Sequence, residues 1–114
     1  MKGYWSLPGG GLETGETLKD GIRREVCEET GLEIESGPMA QVFERIMLDA
    51  EGRTEFHYVL IDYICKVTGG LLCAGDDCSA VRWFPMAELP GLNLTEGTLA
   101  VIEKAYETYQ RGTA

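Results

Sequence analysis

A mixed α/β (α+β) domain is predicted for these 114 residues from three observations. Leu18, Ile22 and Val26 recur at helical spacing between Thr17, a good N-cap, and Gly31, a good left-handed C-cap. Two runs rich in β-branched, aromatic and aliphatic residues, Met39 to Leu48 and Glu55 to Val67, flank the turn-forming segment Asp49-Ala50-Glu51-Gly52-Arg53. The length fits one domain over residues 1–114, because compact domains commonly run to roughly 100–150 residues.

The elements follow in order. Tyr4-Trp5-Ser6-Leu7 reads as a strand end that enters a glycine loop at Pro8-Gly9-Gly10-Gly11. Thr17 caps the first helix, Asp20 is an acidic partner for its first amides, and the spacing predicts a helix over residues 18–30. The two β-rich runs form a long hairpin, Gly69-Gly70 turns the chain, and Ala74-Gly75-Asp76-Asp77 makes an acidic loop. Val81-Arg82-Trp83-Phe84 reads as another strand, stopped by Pro85. From Thr95 as N-cap, a second helix carries Leu99, Ile102, Tyr106 and Tyr109 on one stripe.

Composition narrows the functional classes. The chain is 44% hydrophobic without the run of about 18 apolar residues that a membrane span needs, so no membrane partner is expected. A formal charge of −9 repels the phosphates of nucleic acid. A phosphorylated small molecule remains a suitable partner if bound divalent cations reverse the local field. No export signal is evident at the start, which places the chain in the cytoplasm. There Cys27, Cys65, Cys73 and Cys78 are expected to be reduced and buried, and a zinc site on Cys73-x4-Cys78 is disfavoured by the presence of a single histidine, His57.

Glu25, Glu28 and Glu29 lie at i, i+3 and i+4, so on a helix their carboxylates share one face and repel by several tenths of a kcal/mol per pair. That face is opposite the Leu18, Ile22, Val26 stripe. A solvated charged surface is the ordinary reading of such a pattern, and a hard-cation site is the alternative, since Mg²⁺ takes oxygen ligands at short distance.

The surrounding residues favour the cation site. Gly10, Glu16, Arg24, Glu25, Glu28, Glu29 and Gly31 occupy seven fixed positions, with aliphatic Val26 and Leu32 in register. At roughly one chance in fifteen per position, the coincidence is on the order of one in 10⁸. The segment Gly10 to Leu32 resembles the Nudix box, and on this resemblance the chain is identified as a member of the Nudix hydrolases. The family implies an α/β/α sandwich on a mixed β-sheet and hydrolysis of a pyrophosphate linkage in a nucleoside diphosphate derivative, with water attacking phosphorus. It also implies Mg²⁺, for which Mn²⁺ can substitute, held by Glu25, Glu28, Glu29 and the carbonyl of Gly9. The catalytic set implied is Glu25 and Glu28, braced by Arg24 and Glu16, with Asp77 or Asp76 as general base. Gly10, Gly11 and Trp5 are the implied substrate contacts, and Tyr4 and Trp83 are further aromatic candidates for stacking on a base.

Residues 55–63, 74–77 and 82–84 are similar to the branch described as ADP-ribose pyrophosphatases. Members of that branch often place a proline after the box where this chain has Leu48. A nucleoside-triphosphate pyrophosphohydrolase that clears damaged nucleotides is therefore the second expectation, and a non-catalytic nucleotide-binding module the third. His57 in an alternating strand reads as a packed or rim residue. The family pattern begins with one or two strands before the Trp-x-Leu-Pro-Gly-Gly segment, whereas Met1 here stands four residues before Trp5. An N-terminally shortened sheet with an open edge is expected to associate with a second copy, as a homodimer.

Overall fold

A computed structural model describes residues 3–75 and 78–112. The elements are α1 (Leu18–Thr30), β1 (Leu32–Leu48), β2 (Thr54–Gly70), a 3₁₀ helix over Met86–Gly91, and α2 (Thr98–Gly112). Both ends of α1 are set by local chemistry. The Thr17 side chain accepts a hydrogen bond from the Asp20 amide, and Gly31 adopts the left-handed conformation (φ 75°) while its N–H donates to the Cys27 carbonyl.

β1 and β2 form a two-stranded antiparallel sheet, with partners running from Leu32↔Gly70 to Leu48↔Thr54. Its turn is built by Asp49, whose Oδ1 accepts from the amides of Glu51 (2.9 Å) and Arg53 (3.0 Å), with Gly52 at φ 82°. β1 starts at Leu32, directly after the Gly31 cap, rather than at Met39. Register irregularities between Ser36 and Gln41 carry the ladder past Gly37 and Pro38, the latter having no amide to donate.

α1 packs on β1, where buried Val26, Leu32 and Ile34 form the core with Ile22 against them. Thr30 fastens the junction. Its hydroxyl donates to the Val26 carbonyl (2.6 Å) and accepts from the Leu32 amide (3.2 Å). α2 packs on both strands, contributing buried Val101.

Several expectations are corrected. Leu18 is 39% exposed, so the working apolar stripe begins at Ile22. The segment Tyr4–Leu7 contributes one parallel bridge, Trp5↔Leu94, which with the antiparallel hairpin is the extent of mixed pairing among the described residues. Val81–Phe84 is not a strand; its contacts are made by side chains, since the Phe84 ring packs edge-on against Trp5. α2 begins at Thr98, because Thr95, Glu96 and Gly97 (φ 83°) make a turn first, with the Thr98 amide on the Thr95 carbonyl. Its buried side centres on Val101, leaving Tyr106 and Tyr109 exposed. Contrary to expectation the cysteines are not buried: Cys27, Cys65 and Cys73 are exposed and Cys78 is intermediate. Among the described residues no helix is long and apolar enough to cross a membrane.

Candidate functional site

The polar face of α1 is organised around one guanidinium. Arg24 Nε donates to Glu16 Oε2 (2.7 Å) and Nη2 to Glu16 Oε1 (2.9 Å), a bidentate grip across the loop–helix boundary. Its Nη1 donates to Glu25 Oε1 (3.0 Å) and Glu28 Oε2 (3.2 Å), and Nη2 also donates to the carbonyl of Gly11 (3.0 Å). Glu13 Oε1 stands 3.7 Å from Nε. The Arg24 hydrogen bonds, followed by the Glu13 backbone amide, hold the Glu16 carboxyl at about 2, well below its ordinary 4.5. Reciprocally, Glu16 first and Glu25 after it hold the Arg24 proton more tightly than usual, so this cation is fixed at any working pH.

The glycine loop lies directly on this cluster. The Gly9 amide donates to Glu29 Oε2 (2.9 Å). At Gly10 a Cβ would fall 2.5 Å from the Glu25 carboxylate, so a side chain there would push Glu25 out of its place beside Arg24. Gly21 shows the same logic from the helix side. It is a helix-interior glycine, unfavourable by about 1 kcal/mol against alanine, but a Cβ there would meet Leu12 at 2.4 Å and Glu16 at 3.2 Å. Gly21 and Glu13 were not singled out in the sequence. The available signal was a glycine in an otherwise regular helical pattern.

Of the sequence-derived residues, Arg24, Glu16, Glu25, Glu28 and Gly11 are thus gathered around one guanidinium, Gly9 joins Glu29, and Gly10 abuts Glu25. Trp5 has none of these partners. Its ring stacks edge-to-face on Phe84 (4.8 Å, 77°) and its backbone pairs with Asn93 and Thr95. Tyr4 and Trp83 are exposed, Trp83 at 64%, rather than core. His57 is a rim residue, 2.6 Å from Glu44 across the hairpin. Asp76 and Asp77 lie outside the described residues. Asp62 on β2, not among the sequence candidates, has a buried Oδ2 without a hydrogen-bond partner, and burial pushes its carboxyl up. A groove of about 450 Å³ between the 3₁₀ helix and α2, lined by Leu89, Leu92, Leu94, Leu99 and Glu103, includes no residue of the glycine loop or α1.

The chemistry of the donors suits a hard divalent cation, all being carboxylate or main-chain oxygens, with four carboxylates within 4 Å of a single guanidinium. Among the described residues, however, no three acidic, histidine or cysteine side chains converge as a ready ligand set. Glu25 and Glu28 turn to Arg24, and Glu29 turns to the Gly9 amide.

Comparison with known proteins shows the family of the chain. The NUDIX domain family matches residues 1–105. An ADP-ribose pyrophosphatase of Methanocaldococcus jannaschii is 38% identical over 92 residues, covering 81% of this chain and 52% of that protein. A nucleoside triphosphatase NudI of an Enterobacter species is 31% identical over 101 residues, covering 84% of this chain and 72% of that protein. The crystal structure of a UDP-X diphosphatase superposes with a TM-score of 0.78 at 27% identity, covering 96% of this chain and 53% of that one. The chain therefore belongs to the Nudix family and has its α/β fold. It spans about half the length of the M. jannaschii protein.

Proposed function

We propose that the domain hydrolyses a pyrophosphate linkage in a nucleoside diphosphate derivative of the ADP-ribose class, by attack of water on phosphorus and with dependence on Mg²⁺ or Mn²⁺. The observation that carries this reading is the carboxylate face of α1, held by Arg24 and overlaid by the Gly9–Gly11 backbone. A divalent cation held by Glu25, Glu28, Glu29 and the Gly9 carbonyl would supply charge neutralisation for the diphosphate and acidify its bound water. Arg24 sets the orientation of Glu25 and Glu28, and Glu16 fixes Arg24 in turn. The exposed glycine loop admits the diphosphate close to the main chain, with Gly10 and Gly11 as contacts, and Trp5 offers an aromatic surface to the base. Asp77, with Asp76 as its neighbour, is the proposed general base.

The substrate class is supported by the similarity to an ADP-ribose pyrophosphatase. The similarity to a nucleoside triphosphatase, of which this chain covers 72%, favours a second reading as a nucleoside-triphosphate pyrophosphohydrolase. Assay of ADP-ribose, a UDP-sugar and a set of (d)NTPs for monophosphate or pyrophosphate release, each with Mg²⁺ and with excess chelator, separates the two. ADP-ribose cleavage abolished by chelator is expected. Undiminished hydrolysis in chelator overturns the metal dependence, and tight nucleotide binding without turnover points to a binding module.

We also read the working unit as a cytoplasmic homodimer. The accessible surface is 8444 Å², against about 6,200 Å² for a compact chain of this mass, and Val42, Ile46, Leu48 and Val59 stand exposed on the hairpin. Sedimentation at low micromolar concentration should give twice the chain mass; a well-behaved monomer would refute it.

A further inference from the structure

The last turn of α1 carries Glu28 and Glu29, and like any helix end it leaves main-chain carbonyls without intrahelical partners. A later segment takes them up. The Cys73 amide donates to the Thr30 carbonyl (2.8 Å), the Gly75 amide donates to the Glu29 carbonyl (3.0 Å), and the Gly31 amide already serves Cys27. The remaining carbonyl, that of Glu28, points at Gly75 itself: a Cβ there would lie 1.9 Å from its oxygen and 3.3 Å from the Glu29 Cα. The one substituent that fits in that direction is a hydrogen. Gly75 is not left-handed, so its requirement for glycine is close approach rather than backbone conformation. Leu71 closes the other side, its carbonyl 2.4 Å from where a Cβ on Gly31 would be.

We propose that Gly75 is a positioning residue: residues 71–75 form a strap whose amides close the carbonyl end of α1, and Gly75 lets that strap seat against Glu28, fixing the turn that aims Glu28 and Glu29. The direction of both carboxylates depends on the backbone of one helical turn, and the strap is what stops that turn from fraying. The side chains of the same two residues are held separately, Glu29 by the Gly9 amide of the glycine loop and Glu28 by Arg24 one turn earlier in α1. This rests on the reading of Glu28 and Glu29 as working groups of a diphosphate hydrolase.

The test compares the parent chain with Gly75→Ala and, as a steric control, Gly91→Ala. Gly91 has open space where its Cβ would go and lies in the 3₁₀ helix. In metal-free protein, hydrogen exchange should show the Cys73 and Gly75 amides protected and opening together with those of Thr30 and Gly31. Gly75→Ala should release the Cys73 amide and the last turn while the amides of Val26 and Ile34 stay protected. Mn²⁺ affinity by calorimetry should weaken by about tenfold or more, the usual cost of losing an outer support, with kcat falling and KM for the nucleotide little changed. Gly91→Ala should match the parent throughout. Unprotected Cys73 and Gly75 amides in the parent overturn the proposal even if Gly75→Ala does not fold, as does a folded Gly75→Ala that keeps parental exchange and Mn²⁺ affinity. A parent inactive on every substrate would instead sink the hydrolase reading, leaving the exchange and Mn²⁺ results to decide on the strap.

Discussion

The segment from Gly9 to Gly31 and the outer half of the hairpin differ in what their side chains meet. In the first, Glu16, Glu25, Glu28 and Glu29 each accept a hydrogen bond from a partner no more than twenty residues away. In the second, Val42, Ile46 and Val59 are each more than half exposed. A polar cluster can be completed by a short stretch of chain because each bond has one partner and one direction. An apolar face needs area, and the nearby chain does not supply enough of it.

Substitutions can break or sharpen that contrast. The largest effect should come from Glu28→Gln, whose exposed side chain leaves stability unchanged while turnover falls by a factor of about 10² or more. Near-normal turnover in a folded variant would remove the functional meaning of the polar face. Val26→Ala, on the opposite side of α1, should do the reverse: about 2 kcal/mol lost in denaturant unfolding, from burial at 7% exposure. Leu18→Ala removes one more carbon yet should lose no more than that, because Leu18 is already 39% exposed. A clearly larger loss would mean that the stripe starts one turn earlier than described.

Arg24→Lys keeps the charge but not the fork. It should lower activity by about tenfold, since an ammonium cannot grip Glu16 bidentately while also reaching Glu25 and Glu28; full activity would show that charge alone suffices. The smallest effect is the acid response. Glu16 titrates near 2 in the folded chain and near 4.5 otherwise, so its contribution is complete above about 4.5 and disappears as pH falls toward 2. Glu16→Gln should flatten the stability profile in that window, measured by urea midpoints at stepped pH. A parallel profile would show that Glu16 gains nothing from Arg24.

What was legible in the sequence divides along the same line. Thr17, Gly31 and the Asp49–Arg53 turn act on residues within four positions of themselves, and both ends of α1 and the hairpin turn fall where they indicate. The box residues that meet around Arg24 are likewise near one another in the chain. Val81–Phe84 has strand-like composition, but strand formation requires a partner, and Phe84 finds a ring instead. The start of α2 slipped by two residues because Gly97 takes a left-handed turn that propensity at Thr95 does not reveal. Gly75 was read only as part of an acidic loop; its close approach to Glu28 joins residues 47 positions apart, which no local pattern encodes.

Thr30 has one more consequence. Its hydroxyl ties the Val26 carbonyl to the Leu32 amide, so helix and strand meet through Gly31 alone, with no slack between them. A joint of this kind transmits displacement instead of absorbing it. The direction in which the hairpin leaves the helix is therefore set at the turn that carries Glu28 and Glu29.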